Sequence, residues 1–158
     1  DDAAVSSAIK AGKVYAYVCD FPTNLLKNHD RVVTLPHLGA STREAEDNCA
    51  IMVAEQVRDF LENGNIRNSV NFPEVVVPRG SQHRMVLANA NVPNMLGQIS
   101  EAFGQAGLNI HDMVNMSRGE LAYTVIDLDS PAPDTVKQRL SAIKGVLMVR
   151  VVPPPRAA

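Results

Sequence analysis

The sequence has few of the residues that mark secreted or metal-binding proteins. Among 158 residues there is no Trp, and there are four Phe, three Tyr and only two Cys, which are Cys19 and Cys49. The two thiols stand in apolar settings and match no CxxC spacing, so we expect neither a disulfide nor a bound metal. With so few aromatic residues, the predicted core consists of aliphatic side chains, Met and Ala packed between helices and strands.

An excess of one charge and a long apolar run are also missing. Lys and Arg number 15 against 17 Asp and Glu, a formal net charge of −2. Because binding to a phosphate backbone needs clustered cations, we expect no nucleic-acid partner. No run of about 20 apolar residues and no signal-like start is present, so we expect no membrane association and no export. The predicted location is the cytoplasm.

The first part of the chain has the pattern of one helix followed by two short strands. Apolar periodicity predicts a helix over residues 2–11, and Val- and Tyr-rich runs predict strands over 14–18 and 32–35. Two such strands are typical of the edge of a parallel sheet. The first helix begins partway through its pattern, so we expect the chain to be a piece of a longer protein.

A long helix is predicted over residues 42–62. Apolar side chains recur there at spacings of three and four, which indicates one buried face. Ser41 is the expected N-cap, and Glu44 completes a capping box. After residue 62 the helical period is lost, and Pro73, Pro78 and Gly80 give the segment the composition of a linker. We therefore place a domain boundary near residue 80, which divides the chain into domains 1–80 and 81–153.

The second domain alternates strands and helices in a different order. The predicted elements, in chain order, are a strand 85–90, a helix 94–106, strands 108–116 and 121–128, a helix capped by Asp134, and a strand 146–152. Gly107 and Gly145 end the two helices. This βαββαβ order over about 70 residues predicts an α/β chain that ends in a ferredoxin-like domain with both helices on one face of the sheet.

Two segments resemble parts of a known enzyme family. The stretch "VYAYVCDFP", followed by "RVVTLPHLGASTREAEDNCAIMVAEQVRDFLENGNIRNSVNFPE", resembles the end of the Rossmann-type and substrate-binding region of NAD-dependent D-2-hydroxyacid dehydrogenases, in particular of the members that oxidise 3-phosphoglycerate in serine synthesis. The βαββαβ domain, with "LANANVPNMLGQISEAFGQAGLNI", resembles the ACT domain that ends many of those enzymes. The resemblance covers essentially the whole chain.

The resemblance implies a catalytic role for His37, as the base that takes the hydroxyl proton while hydride passes to NAD. It implies a cofactor-binding role for the residues around it, which are Asp20, His37, Leu38, Gly39 and Ala40. The Glu that normally supports the His is replaced, because the corresponding place holds Asn24. The glycine-rich GxGxxG turn does not occur in the sequence. We therefore expect an incomplete NAD site and no catalysis by this chain alone.

The resemblance also implies an effector site in the ACT domain. Asn89, Asn91 and Asn109 match the family positions that hold an amino acid, L-serine in the general case, across an interface between two domains. We expect a homo-oligomer formed through pairing of ACT domains. Asn94 replaces the usual Gly after the Pro, so the side chain at residue 94 is expected to crowd the ligand.

Other interpretations of these residues remain open. His37 is also explained as a polar residue at a strand end, and the asparagines as turn and capping residues. The ACT domain is also explained as an assembly module without an effector. A ferredoxin-like domain that binds RNA is disfavoured, because residues 121–128 offer only Tyr123 in an acidic strand.

Overall fold

The computed structural model describes residues 1–155. Its helices and strands, numbered in chain order, are α1 (Asp2–Lys10), β1 (Tyr17–Cys19), β2 (Val32–Thr34), α2 (Arg43–Asn63), β3 (His83–Ala90), α3 (Met95–Gly104), β4 (Ile110–Arg118), β5 (Leu121–Leu128), α4 (Asp134–Ala142) and β6 (Val146–Val152). The chain forms two compact units, Asp1–Ile51 and Met52–Ala158. In the part of the chain described, no helix is long and apolar enough to cross a membrane.

The first unit contains a two-stranded parallel sheet. β1 pairs with β2 in parallel, as the sequence predicts. The first strand is shorter than the predicted 14–18, because it begins at Tyr17. The backbone amides of Lys13 and Val14 both donate to the carbonyl of Ala8, so these residues close the end of α1 and do not extend a strand.

The long helix begins one residue later than predicted and has a different cap. The Thr42 hydroxyl accepts a hydrogen bond from the amide of Ala45 at 3.1 Å, so Thr42, and not Ser41, is the N-cap. No side chain of α2 is buried. Five of its large apolar residues are exposed by between 51% and 58%, whereas Phe60 is partly buried against the sheet; the five are Ile51, Met52, Val53, Val57 and Leu61.

The second unit is built on a four-stranded antiparallel sheet in the order β4-β5-β3-β6. This order and the βαββαβ sequence of elements define the ferredoxin-like fold, so the predicted fold class is confirmed. α3 and α4 cover one face of the sheet over a core that includes Met85, Leu87, Ile99, Phe103 and Leu140. The predicted cap of α4 is wrong, because Asp134 is the first helical residue and its side chain makes no cap bond.

The opposite face of the sheet is covered by residues that precede β3. Val75 and Val77 are buried there against Val86 and Tyr123. The Asn65 side chain fixes this segment, because its oxygen accepts from the amide of Val77 and its nitrogen donates to a carboxylate of α2. Residues 64–79 therefore lie on the sheet although their composition is that of a linker. The domain boundary near residue 80 stays a prediction.

Gly64 lets the end of α2 approach the sheet closely. Its φ is +76°, and an added Cβ would lie 2.6 Å from the Val86 side chain. The Tyr123 hydroxyl donates to the Gly64 carbonyl at 2.8 Å. Burial raises the pKa of Tyr123 to about 12, although the nearby charge of Arg150 opposes the shift. At Gly64 itself, the contact with the sheet is thus made by backbone and a neutral phenol.

Candidate functional site

His37 and Asp20 form a pair at one end of the two-stranded sheet. Asp20 follows β1 directly, and His37 lies three residues after the end of β2. Because parallel strands end at the same edge, the two side chains meet there, and His37 Nδ1 lies 2.7 Å from Asp20 Oδ2. The motif identified the two residues separately, whereas the contact between them was not predicted.

The His37 pair has the arrangement of an acid–base dyad. A carboxylate on Nδ1 orients the imidazole and leaves Nε2 available to exchange a proton. Asp20 thus places a carboxylate beside His37, and the Phe21 ring packs on the imidazole in a T-shaped arrangement with centroids 5.1 Å apart. Both side chains of the dyad are more than half exposed, His37 by 60% and Asp20 by 56%.

The residues predicted to bind the cofactor lie in an open loop after β2. Leu38 is half exposed, and the space around the missing side chain of Gly39 is empty to 4 Å. Such a loop leaves room for a flat ring beside His37 and Ala40. Pyrophosphate recognition needs a glycine-rich turn at a helix N-terminus, which this sequence does not contain. The described residues therefore do not fit a whole dinucleotide.

A second candidate site lies in the ferredoxin-like unit, where β3 ends and α3 begins. A cavity of about 200 Å³ opens there, lined mainly by small and amide-bearing residues; they are Asn89, Ala90, Asn91, Val92, Asn94, Met95, Leu96, Gly97, Asn115 and Ala122. Two of the predicted effector residues, Asn89 and Asn91, line this cavity together. Asn89 is 1% exposed and Asn91 is exposed.

A chain of hydrogen bonds holds Asn89 in place. The Asn115 side-chain nitrogen donates to the Thr124 hydroxyl at 2.7 Å, and that hydroxyl donates to the Asn89 oxygen at 3.4 Å. The Asn89 nitrogen in turn donates to the carbonyl of Ala90. Sequence reasoning missed Asn115 and Thr124, because both lie inside predicted strands. Only the strand register, which pairs Asn115 with Thr124, brings Asn115 to the cavity and Thr124 to Asn89.

The third predicted effector residue is not in this cavity. Asn109 precedes β4 and donates to the carboxylate of Asp129, at the end of the sheet where β3 begins. The eight residues of β5 connect this end to the cavity, so the two places are roughly 25 Å apart at about 3.3 Å per residue. Within one chain the structure therefore brings together Asn89 and Asn91 but not Asn109.

Curated proteins of known name test the predicted family resemblance. The chain is 31% identical to D-3-phosphoglycerate dehydrogenase of Escherichia coli strain K12 over 132 residues, which is 82% of this chain and 32% of that protein. It is 30% identical to the Haemophilus influenzae enzyme of the same name over 161 residues, 94% of this chain and 39% of that protein. The predicted resemblance to the C-terminal, ACT-bearing region of D-3-phosphoglycerate dehydrogenases is confirmed.

The similarity extends to eukaryotic D-3-phosphoglycerate dehydrogenases. The protein of this name from Dictyostelium discoideum is 30% identical over 134 residues, 84% of this chain and 32% of that protein. The chain spans about a third of the length of the curated relatives that it matches. No family model matches the chain.

Two solved structures are each similar to less than half of the chain. The ACT domain from GTP pyrophosphokinase of Chlorobium tepidum has a TM-score of 0.39 and 17% identity, and the match covers 44% of this chain and 94% of that one. The small subunit of acetolactate synthase from Thermotoga maritima has the same TM-score at 16% identity, covering 44% of this chain and 45% of that one. Such scores are too low to argue from, so the fold assignment rests on the strand order of the sheet.

Proposed function

We propose that this chain is the regulatory part of an NAD-dependent D-3-phosphoglycerate dehydrogenase, located in the cytoplasm. In this proposal the whole enzyme oxidises 3-phosphoglycerate, and the domain after the boundary near residue 80 binds an amino acid, L-serine, as effector. The observation that carries the proposal is the cavity at the start of α3, where Asn89 and Asn91 meet in a chain similar to these enzymes. An amide donates to a carboxylate and accepts from an ammonium group, so it suits both ends of an amino acid.

The dehydrogenase part of the proposal rests on His37. The Asp20 carboxylate on its Nδ1 supports a role in moving the hydroxyl proton of the substrate. In the whole enzyme, NAD would supply the hydride acceptor, and Leu38, Gly39 and Ala40 would lie beside it. We propose that this chain alone is inactive, because the dyad is open to solvent and its residues do not fit a whole dinucleotide.

A melting-temperature screen of the 158-residue chain with L-serine, glycine and NAD tests the proposal. A ligand at about 100 times its Kd adds about 2.7 kcal/mol to the free energy of unfolding. For a chain of this size each kcal/mol raises Tm by about 2–4 °C. We therefore expect a rise of several degrees with L-serine and none with NAD.

Two asparagine variants control the screen. Asn91→Ala removes an amide of the cavity and should abolish most of the rise, whereas Asn28→Ala changes an exposed asparagine of the first unit and should leave it intact. If no amino acid raises Tm, the effector role is wrong. The chain is then an assembly module that pairs through its ACT domain without an effector.

A further inference from the structure

We propose that the second unit has another ligand site, which binds an organic anion with a flat, apolar body. The site is a pocket of about 380 Å³ on the face of the sheet opposite α3 and α4, a volume typical of small-molecule sites. It lies between the last turns of α2, the segment 65–72 and the sheet. Its lining is mainly apolar and includes Val57, Phe60, Ile66, Phe72, Ala88 and Met148.

This pocket is separate from the cavity at the start of α3. Ala88 of β3 packs with Tyr123 in the cluster that residues before β3 cover, and both line the pocket. The next residue, Asn89, lines the other cavity together with Met95 of α3. The two places therefore lie on opposite faces of the sheet. The amino-acid effector proposed above does not account for the pocket.

Hydrogen bonds fix one wall of the pocket in place. Ile66 and Val75 exchange backbone hydrogen bonds at 2.8 and 3.0 Å, which closes the segment between them into a loop. Within this loop the Ser69 hydroxyl accepts from the Phe72 amide at 3.1 Å, and Arg118 of β4 donates to the Ser69 carbonyl at 3.1 Å. A ligand thus meets a wall that is already ordered, so little conformational entropy is lost on binding.

Aromatic rings and one small side chain shape the inside of the pocket. The Phe72 and Tyr123 rings pack in a T-shaped arrangement, with centroids 6.2 Å apart and planes at 72°. Ala88 has the smallest side chain of the lining and leaves room above β3. A flat apolar group packs well against such rings, and its burial releases water from both surfaces.

The charges at the pocket favour a negative head group. Arg67 belongs to the lining, and its Nε lies 3.5 Å from Asp59, whose oxygens also accept from two asparagine side chains. Arg118 lies beside the loop, and the guanidinium of Arg150 stacks on the Phe60 ring at 4.4 Å. Three guanidinium groups and one carboxylate thus lie against the lining. A carboxylate on the ligand would find a charged donor in Arg67.

NMR titration of the 158-residue chain with 2-naphthoate tests this inference. The neutral analogue 2-naphthalenemethanol has the same rings without the charge. We expect the amide resonances of Phe72 and Ala88 to shift as 2-naphthoate is added. The alcohol should bind at least about tenfold more weakly, because it forms no charge-assisted hydrogen bond. Excess L-serine should not displace 2-naphthoate, whether or not it binds on the other face of the sheet.

Two arginine variants test the charge. Arg67→Gln should lower the affinity for 2-naphthoate to that for the alcohol. Arg58→Gln is the matched control, because Arg58 is exposed on α2 and is not part of the lining, so this variant should bind as the unaltered chain does. Ala88→Ile fills the floor of the pocket with a side chain that suits a strand, and it should abolish binding of both probes.

Three results would overturn the proposal. The pocket is not a ligand site if 2-naphthoate shifts no resonance of its lining, or shifts only those of the exposed apolar residues of α2. The anionic class is wrong if the alcohol binds as tightly as 2-naphthoate, or if Arg67→Gln and Arg58→Gln bind alike. Displacement by L-serine would mean that the probe occupies the effector cavity. Failure of the effector function itself would leave this site unaffected.

Discussion

At the scale of single residues, the side chain with the most demanding surroundings is Arg84. It is fully buried, and its guanidinium donates to both oxygens of Asp127, at 2.7 and 2.8 Å. Its other hydrogens go to the carbonyls of Asn63, Val77 and Pro78. A buried ion pair costs desolvation, so it is tolerated only when all of its hydrogen-bonding groups have partners. Removing one member of the pair leaves an unpaired charge in the core.

We expect Asp127→Asn to lower the free energy of unfolding by about 3–5 kcal/mol at neutral pH. Burial alone would raise the pKa of Asp127, but hydrogen bonds from Arg84 and the Gly80 amide, with the charges of Arg84 and Arg79, hold it below the ordinary value. Because the pKa of Asp127 is lower in the folded chain than the value of about 3.9 in the unfolded chain, the ionised carboxylate stabilises the fold at pH values above about 3.9. This stabilisation is lost progressively as the pH falls below about 3.9 towards the folded-state pKa. Urea unfolding between pH 7 and pH 2.5 measures both effects.

The control for Asp127→Asn lies on the neighbouring strand. Asp112 pairs with Asp127 in the sheet register but is exposed, so Asp112→Asn should change stability by less than about 0.5 kcal/mol. Asp127→Asn should also flatten the acid limb of the curve, because the group that titrates is gone. An acid limb equally steep in both variants would show that another carboxylate dominates acid unfolding.

The sequence predicts which residues belong to a candidate site better than it predicts which residues contact each other. Motif resemblance selected His37, Asp20, Asn89 and Asn91, and the structure brings them together as two separate pairs. Asn115 went unnoticed, because its place beside Asn89 depends on pairing across β5, and register is not readable from one strand. The same limit hid the Arg84–Asp127 pair, whose members are 43 residues apart.

At the scale of elements, the end of α2 is held by arginines from outside the helix. The last turn of α2 contains no basic residue. The carbonyls of Phe60 and Leu61 accept from Arg150 of β6, that of Glu62 accepts from Arg79, and that of Asn63 accepts from Arg84. The carbonyls of Leu61, Glu62 and Asn63 are among those that a helix end leaves without backbone partners, and each one is satisfied by a cation; that of Phe60 also accepts from the Gly64 amide at 3.0 Å.

We expect Arg150→Met to destabilise the second unit by about 1–3 kcal/mol, because it removes two charge-assisted hydrogen bonds and a cation–π contact. The guanidinium carbon lies 4.4 Å from the centre of the Phe60 ring. The loss should be local, so amide hydrogen exchange should accelerate in the last turn of α2 more than in β3 or β5.

Arg139→Met is the matched control for Arg150→Met. Arg139 is exposed on α4, and among residues 1–155 its side chain bonds only the side chain of Gln105, so its loss should cost less than about 0.5 kcal/mol. Equal exchange rates for α2 in the unaltered chain and in Arg150→Met would mean that Arg79 and Arg84 suffice to hold the helix end.

The sequence predicts where the helices and strands lie more accurately than it predicts their first and last residues. Strand β5 has the predicted bounds, because Gly119 before it and the Pro-rich turn after it interrupt pairing. The predicted start of α2 was wrong by one residue. Ser41 and Thr42 are both good N-cap residues, and only the backbone geometry distinguishes them. The linker prediction for residues 66–83 could not anticipate that Val75 and Val77 cover the sheet, since composition does not reveal long-range contacts.

At the scale of the whole molecule, the sheet of the second unit has one edge suited to self-pairing. In the order β4-β5-β3-β6, one side of β4 has no neighbouring strand within the described chain. β4 is regular from Asp112 to Arg118, after an irregularity near its start. Two copies that paired β4 edges antiparallel would place the start of one strand beside the end of the other.

The distance between Asn109 and the cavity gives this pairing a functional meaning. Asn109 lies at the start of β4, and Asn91 lies at the end of the sheet where β4 finishes, close to Gly119, whose carbonyl it contacts. Antiparallel pairing would therefore carry the partner's Asn109 to the cavity. The distance within one chain would then be expected, since the site would take residues from two copies.

Mixing two defective chains tests this arrangement. Asn91→Ala and Asn109→Ala should each lose binding of L-serine. A mixed dimer of the two variants has one site with both defects and one intact site. Since about half of the dimers in an equimolar mixture are mixed, roughly one site in four should bind L-serine again. Calorimetric stoichiometry measures the recovery, and light scattering verifies the dimer. A mixture of Asn91→Ala with Asn89→Ala is the control, because both defects lie on the β3 side and no combination restores a site. If the first mixture binds no more than this control, Asn109 does not act across copies.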